Sequence, residues 1–220
     1  MRSSIDDRTA KARIRDAAME CFAADGIDST SLRTIAAAAG VSAGLVIHHF
    51  GSKDALRIAC DEHVAARIRE QKASAMAQGA GVDPLAALRS AAGGPPLLRY
   101  LARTIVDGSS HVDDLVDELV NDAVGYMETG VAAGLLTPSD IPRRRAALLT
   151  LWSLGGVVLH KHMERLLGVD ITADFSRDPE SAAAYVLPAL DVLGGVVTDV
   201  TKNLWTEAFA DASDDAKETA

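Results

Sequence analysis

The stretch from Thr30 to Lys53 brings hydroxyl, imidazole and cationic side chains together within a short span of the chain. Its basic side chains can pair with phosphates, and the neighbouring His48 and His49 can donate to phosphate oxygens. A histidine pair can also bind a metal ion. Adjacent helical positions point about 100° apart, however, and no cysteine or carboxylate partner accompanies the pair at ligand spacing. The stretch therefore favours phosphate contacts, and no metal or cofactor is expected.

Two short helices joined by a tight turn must position these groups. Ser29 or Thr30 can cap the first helix, and Gly40 ends it because glycine readily adopts the left-handed conformation. Ser42 then caps a second helix that runs from Ala43 to about His49. This pattern predicts a helix-turn-helix, which lays its second helix in the major groove of DNA.

Two flanking helices complete a compact N-terminal unit. The helix predicted over Asp7–Ala24 carries an apolar stripe made of Ile14, Ala17, Ala18, Cys21 and Phe22. Ser52 begins another helix that leads out of the unit toward Glu70. We therefore predict a three-helix helix-turn-helix domain over residues 1–70, with the following helix as its connector.

The acidity of the chain lies outside this unit. The formal net charge is −9, which at first sight argues against a nucleic-acid partner. Residues 1–60 hold eight Lys/Arg and seven Asp/Glu, a net +1, whereas residues 61–220 carry −10. At physiological salt the Debye length is about 8 Å, so remote carboxylates are largely screened from a DNA contact. The charge therefore permits DNA binding, but it disfavours a protein that compacts DNA without sequence preference.

The rest of the chain predicts further helices, with breaks at residues 78–84 and 92–96. Apolar residues make up 48% of the chain and alternating β-branched runs are scarce. This composition favours an all-α fold of about nine helices. The predicted later helices are Leu85–Ala91, Leu97–Val106, His111–Ala133, Arg143–Leu167 and Ser181–Asp211. They define a second, helical domain over residues 71–211, and residues 212–220 are expected to form a flexible tail.

The cysteines and the N-terminus bear on the compartment. Cys21 and Cys60 are the only cysteines and have neither ligand nor motif spacing. Reduced, buried thiols suit a reducing compartment, and the polar N-terminus lacks the apolar core of a signal peptide. No apolar run is long enough to span a bilayer. We therefore expect a cytoplasmic protein with no membrane partner.

A short echo links the last two predicted helices. Residues 154–158 and 193–197 both read Leu-Gly-Gly-Val-Val. Glycine in a helix interior costs about 1 kcal/mol relative to alanine, so a close approach between helices is one explanation. A coincidence between two segments rich in small residues is the other.

The N-terminal residues resemble the DNA-binding domain of the TetR/AcrR family of transcriptional regulators. The matching positions are Ile14, Ala17, Ala18, Phe22, Gly26, residues 30–36, residues 39–42, Gly44, Leu45, His48, His49, Phe50, Lys53 and Leu56. The resemblance implies a homodimer that binds operator DNA through this domain and a small-molecule effector through the helical remainder. It implies no enzyme, and the chain contains no GxSxG, GxxxxGK[ST] or HExxH motif.

By this resemblance, the DNA contacts come from the helix-turn-helix and its flanks. The contact residues are Thr30, Ser31, Arg33, Ser42, Ala43, Gly44, Ile47, His48, His49 and Lys53. Thr30, Arg33 and Lys53 are expected beside phosphates, with helix capping or a solvated cation as the alternatives. Ile47 stands where the family usually has tyrosine, and it offers only an apolar contact, for example to a thymine methyl.

The resemblance also implies a dimer interface in the last two long helices. Arg143–Leu167 is apolar on nearly every side, which independently requires burial. The predicted interface residues are Leu151, Gly155, Val158, Leu159, Val192, Gly195 and Val196. An effector pocket is predicted between the preceding helices and Arg143–Leu167, and the apolar bias favours a largely apolar ligand. Its candidate residues are Tyr100, Arg103, Asn121, Tyr126, Met127, Trp152 and His160.

These expectations combine into a repressor that a ligand releases from a palindromic operator. Two recognition helices about 34 Å apart would meet successive turns of such an operator. An activator, or a regulator controlled by a protein partner, is the alternative, and an enzyme with a helical fold is a further one.

Overall fold

The computed structural model describes residues 2–86, 95–107, 110–172 and 179–218. These residues are predominantly helical, and an isolated antiparallel bridge joins Leu136 to Val197. The helices are α1 (Arg2–Asp25), α2 (Leu32–Ala39), α3 (Ala43–Phe50), α4 (Lys53–Ala77), α5 (Pro95–Asp107), α6 (Ser110–Ala132), α7 (Pro142–Val158), α8 (His160–Leu167), α9 (Pro179–Val192) and α10 (Asp199–Glu218), with a 3-10 turn at Gly79–Gly81. The all-α fold is confirmed. Most of the predicted helix Leu85–Ala91 lies outside the described residues.

Local capping signals build the helix-turn-helix. Ser42 accepts from Leu45 N at 3.2 Å and Ser52 accepts from Ala55 N at 3.1 Å, so each serine begins the helix that follows it. Gly40 ends α2 with φ +65°, a left-handed conformation that suits glycine. The cap of α2 was predicted wrongly: Ser31, rather than Ser29 or Thr30, accepts from Thr34 N at 3.1 Å.

The core of this unit forms where the apolar faces of its four helices meet. The completely buried residues include Ile14, Phe22, Ile35, Val46 and Leu56. Each of these side chains comes from the stripe that its helix turns inward, as the helical period requires. The short α2 and α3 are therefore held by tertiary packing, since helices of this length are marginal alone.

Helix α4 is shared between the two predicted domains. It runs without interruption to Ala77, so the boundary predicted at residue 70 falls inside a helix. Its first half packs against α1, and its length also packs against α6. A displacement of one end of α4 is therefore transmitted to the other end, because a packed helix moves as a rigid element.

A cluster of buried polar side chains joins the first half of α4 to α5. The Tyr100 hydroxyl donates to Asp61 Oδ1 at 2.6 Å, and both side chains are buried. The Arg57 guanidinium lies 3.9 Å from Asp61 and 3.5 Å from Asp107. Burial raises the pKa of Asp61 and of Tyr100, and the hydrogen bond and Arg57 partly offset this rise for Asp61.

The two longest predicted helices are each broken. Arg143–Leu167 is divided into α7 and α8 at Leu159, which leaves the helical conformation with ψ 19°. Ser181–Asp211 is divided into α9 and α10 by residues 193–198, which pair with the segment after α6. In that pairing Thr137 N donates to Val196 O at 2.9 Å and Thr198 N donates to Leu135 O at 3.1 Å. Helix α10 continues to Glu218, and the flexibility of the tail at residues 212–220 stays a prediction.

The second copy of the echo therefore has a different role from the first. Gly155 and Gly156 lie within α7, whereas Gly194 and Gly195 lie in the turn between α9 and α10. No helix in the described part of the chain is both long and apolar enough to cross a membrane.

Candidate nucleic-acid interface and internal cavity

Helix α3 presents a small, open face beside the turn. Ser42, Gly44, Ile47 and His48 are exposed, and Ile47 keeps 53% of its surface accessible. Val46, on the opposite side, is completely buried. Because Ser42 and Gly44 are small, a surface such as a DNA groove can approach the α3 backbone closely beside them. Ala43 and His49 are half-buried at the edge of this face.

Helix α2 supplies a cation beside this face. Arg33 is exposed and has the free reach that a phosphate contact requires. The Ser31 hydroxyl, by contrast, is engaged, since it caps α2 and lies 2.8 Å from the Thr34 hydroxyl. Arg33 and the outer face of α3 are thus both exposed, and the DNA contacts predicted for them remain predictions.

Thr30 and Lys53 were predicted at phosphates, and the structure gives both a different role. Thr30 is only 2% exposed, and its hydroxyl donates to Gly26 O at 2.7 Å. The Lys53 ammonium donates to the backbone oxygens of Ile27, Asp28 and Thr30 at 3.0–3.3 Å. Its three donors are thereby occupied, so Lys53 ties the start of α4 to the turn that precedes α2.

Arg13 holds the other end of α2 and was missed from the sequence. Its guanidinium donates to Ala39 O at 2.6 Å and to Gly40 O at 3.3 Å. A cation is favourable at these carbonyls because they form the negative end of the helix dipole. Arg13 and Lys53 together fix the orientation of α2 and α3 against the flanking helices. The pairing has no sequence signal, since it joins residues far apart in the chain.

A cavity of about 490 Å³ lies between α4, α6, α7, α8 and α9. Its wall is mostly aliphatic or aromatic, and it includes the predicted Tyr126, Met127 and Trp152. A second cavity of about 240 Å³ adjoins it and is lined from α4 to α7 and α9. The larger volume falls in the range of roughly 300–1,000 Å³ that is common for small-molecule sites.

Four predicted pocket residues lie elsewhere. Tyr100 is buried against Asp61 and Phe22 in the core, because its position on α5 faces α1 and α4. The Arg103 guanidinium lies against Gly26, where an added Cβ would meet Nη2 at 2.6 Å. Arg103 therefore connects α5 to the turn after α1 rather than to the cavity.

The remaining two are held by local polar partners. Asn121 is exposed and its Oδ1 accepts from Arg143 at 2.6 Å, so it joins α6 to α7 at the surface. His160 Nδ1 lies 3.5 Å from Asp170 Oδ1 and 3.5 Å from the Thr172 hydroxyl. Its ring is thus turned toward the segment after α8.

Lys72, Ser153 and Tyr185 line both cavities and were missed from the sequence. Lys72 lies in the polar second half of α4, whose sequence is that of a solvated connector. Tyr185 comes from α9, which packs mainly on α10 and borders the cavity from the far side. Only the tertiary arrangement brings these three polar side chains to one place.

Gly130 on α6 limits the larger cavity without lining it. A Cβ at this position would lie 2.6 Å from Met76 Sδ and 3.0 Å from Leu136 Cδ1. Both of those side chains belong to the cavity wall. The absence of a side chain at Gly130 therefore leaves the space that Met76 and Leu136 occupy in the cavity wall.

Large apolar side chains also remain exposed on the outer side of α7. Leu148, Leu151, Trp152 and Leu159 each keep more than half of their surface accessible. Their spacing places them with Gly155 on one side of the helix, and a Cβ at Gly155 would meet nothing within 4 Å. Val192 at the end of α9 is 65% exposed, and the predicted Val158 is half-buried.

Gly195 and Val196 do not belong to a helical face as predicted. Gly195 O accepts from the Thr137 hydroxyl at 2.8 Å, and the Val196 side chain lines the larger cavity. The structure thus assigns these two residues to the turn after α9, because two successive glycines end the helix there.

Comparisons with known proteins agree with this arrangement. Residues 14–60 match the family described as bacterial regulatory proteins, tetR family, and residues 95–210 match the tetracyclin repressor-like C-terminal domain. The HTH-type transcriptional regulatory protein RaaS of Mycobacterium tuberculosis is 42% identical over 195 residues, which cover 87% of each chain.

Solved structures share the fold at lower identity. A γ-butyrolactone receptor (ArpA-like protein) has a TM-score of 0.58 and 21% identity, over 94% of this chain and 99% of the receptor. SmeT, the repressor of the Stenotrophomonas maltophilia multidrug efflux pump SmeDEF, has a TM-score of 0.58 and 21% identity, over 86% and 91% of the two chains. The chain belongs to the TetR family of bacterial transcriptional regulators, and it carries that family's DNA-binding domain.

Proposed function

We propose that this TetR-family regulator is a homodimeric repressor, released from a palindromic operator when a small, largely apolar ligand fills the cavity. One observation carries the proposal. Helix α4 holds the turn before α2 through Lys53 at one end, and it lines the cavity through Lys72 and Met76 at the other. A ligand that moves α4 therefore also moves the helix-turn-helix.

The DNA contacts proposed for each protomer lie on α3 and the exposed side of α2. Arg33 pairs with a phosphate, while Ser42, Gly44 and Ile47 lie against the groove. Ser31, Ala43, His48 and His49 border this contact. Thr30 and Lys53 support it from behind by fixing the turn that precedes α2.

The proposed dimer buries the apolar outer face of α7. Leu148, Leu151 and Leu159 gain roughly 25 cal/mol per Å² when a partner removes them from water. Val192 extends this face to the end of α9. Trp152 is exposed on this face and also lines the larger cavity, so the partner would lie beside the ligand.

Release then follows from a difference in affinity between two arrangements of the dimer. A ligand that favours the form with the wrong spacing of α3 needs a preference of a few kcal/mol to empty the operator. SmeT, which shares the fold and is the repressor of an efflux pump, supports repression as the direction of control. The apolar cavity wall supports a largely apolar ligand.

Binding of genomic DNA fragments to the purified protein tests the proposal. We expect selection of a palindromic site, and Arg33→Ala is expected to weaken binding about tenfold and to lower the salt slope by about one. Leu151→Glu with Leu159→Glu is expected to give monomers in sedimentation and to abolish tight operator binding. The control is Lys161→Met, since Lys161 is exposed on α8.

Three results would contradict the proposal. The first is a selected site without two-fold symmetry, and the second is a dimer that persists in the double variant. The third is increased transcription from the selected site in the presence of the protein alone, which would indicate an activator.

A further inference from the structure

Lys72 stands out among the residues around the two cavities. The Lys72, Tyr126, Ser153 and Tyr185 side chains line both of them, so the cavities meet at a small polar region. Within the described residues, Lys72 is the one charged side chain in either wall. The positive charge is therefore placed at the junction of two otherwise apolar spaces.

The Lys72 ammonium has no counter-ion among the described residues. No hydrogen bond or ion pair joins it to any of them. The nearby acids of α6 are engaged by Arg69 instead, which lies 3.1 Å from Asp122 and 3.6 Å from Glu118. Nothing described in the protein therefore neutralises Lys72.

Lys72 is accessible and borders both cavities. The residue is exposed, and its side chain is part of the lining of each cavity. Burial lowers the pKa of Lys72 from its ordinary value, which is the expected effect of desolvating an ammonium without a partner. An anion delivered into this space would relieve that penalty.

The neighbouring polar groups suit an anion as well. Ser153 on α7 and the tyrosines on α6 and α9 carry hydroxyl groups, which can donate to a carboxylate. The Ser153 hydroxyl donates to Leu149 O at 3.0 Å and can turn toward a better acceptor. The spaces on either side are bounded by leucine, methionine, valine and isoleucine side chains.

We propose that the cavity binds an amphipathic carboxylate, with its anionic group on Lys72 and its aliphatic chain in the larger cavity. This inference rests on the proposed function only in taking the cavity as an effector site. The head group is fixed by charge pairing and the chain by burial of apolar surface. Neutral or cationic amphiphiles of equal length lack the first of these interactions.

The test measures direct binding without DNA. Dodecanoate, dodecanol and dodecylamine are titrated against the full chain by calorimetry, with Trp152 fluorescence as a second readout because Trp152 lines the cavity. We expect dodecanoate to bind at least about tenfold more tightly than dodecanol, and dodecylamine to bind most weakly. Equal affinity for the acid and the alcohol would overturn the proposal.

Three variants locate the anion. Lys72→Met is expected to remove the preference for dodecanoate while it retains dodecanol binding, and Lys72→Arg is expected to keep the preference. Lys161→Met is the surface control. A preference that survives in Lys72→Met would overturn the assignment, and circular dichroism of each variant confirms that the fold is intact.

The outcome separates this inference from the proposed function. If dodecanoate binds in a Lys72-dependent way but leaves the operator complex intact, the release mechanism fails and the carboxylate site stands. If other ligands release the operator while dodecanoate does not bind, the carboxylate site fails and the release mechanism stands.

Discussion

The two ends of α4 use a lysine in opposite ways. At the first residue, Lys53 donates to three backbone oxygens, and its charge completes the structure around the helix-turn-helix. Nearer the other end, Lys72 has no such acceptors and faces an apolar cavity. A cation with all its donors satisfied stabilises the fold, whereas a cation without a partner beside a cavity is available to an anionic ligand.

The largest effect is expected at the satisfied end. Lys53→Met removes the charge-assisted hydrogen bonds to the turn before α2, which we expect to lower the free energy of unfolding by about 2 kcal/mol. In a chain of this size that loss lowers the melting temperature by about 4–8 °C. Urea unfolding measures the free energy, and operator affinity should fall with it.

The control for this prediction is Lys53→Arg, which keeps the charge and should restore part of the loss. An unchanged free energy of unfolding in Lys53→Met would contradict the stabilising role of Lys53, because it would show that its hydrogen bonds contribute no more than those of a solvated lysine.

An effect of opposite sign is expected at the unsatisfied end. Lys72→Met should raise the melting temperature of the ligand-free protein slightly, because the lowered pKa of Lys72 reflects a desolvation that no described partner offsets. The lowered pKa of Lys72 means that the folded state binds fewer protons than the unfolded state as the pH approaches the ordinary lysine value of 10.5. The penalty is therefore present at lower pH and disappears as the pH rises toward that value.

Melting curves of Lys72→Met and of the native protein across this pH range test whether the substitution raises or lowers the melting temperature. The difference in melting temperature between Lys72→Met and the native protein should become smaller as the pH rises. Lys161→Met should have the same melting temperature as the native protein. A destabilised Lys72→Met protein at every pH would mean that Lys72 is a structural residue like Lys53.

The smallest effect is expected on the exposed face of α3. Ile47→Tyr adds a hydroxyl at an exposed position on α3, where it can donate to a phosphate. We expect the operator affinity to change by less than about tenfold and the selected sequence to shift at the bases nearest position 47. Site selection on randomised DNA measures both, and an identical profile would show that position 47 is silent.

The helix-turn-helix could be predicted because its signals are local. Ser42, Ser52 and Gly40 each act on the residues beside them, and the structure keeps those caps. The misassigned cap at Ser31 is an error of one residue, which capping patterns alone cannot separate. The roles of Arg13 and Lys53 required the tertiary structure, since their carbonyl partners are distant in sequence.

The later helices were harder to predict for two different reasons. The break between α7 and α8 coincides with the change from an apolar run to His160, Lys161 and His162, but a change in polarity does not by itself mark the end of a helix. The break after α9 did have a signal in Gly194 and Gly195, but an identical pair lies within α7. The same short sequence is thus helical in one context and a turn in the other.

The candidate cavity was predicted only in part. Tyr126, Met127 and Trp152 line it as expected, since they lie on helices that were placed correctly. Tyr100 and Arg103 face the N-terminal unit instead. Lys72 was missed because a lysine in a polar helical segment has the appearance of a solvated residue, and only the surrounding helices place two cavities beside it.

The glycine at position 130 has a consequence for the shape of the larger cavity. A single methyl group there would force the Met76 and Leu136 side chains to move, and both of them line the larger cavity. The shape of the site proposed for the ligand therefore depends on a residue outside the cavity wall.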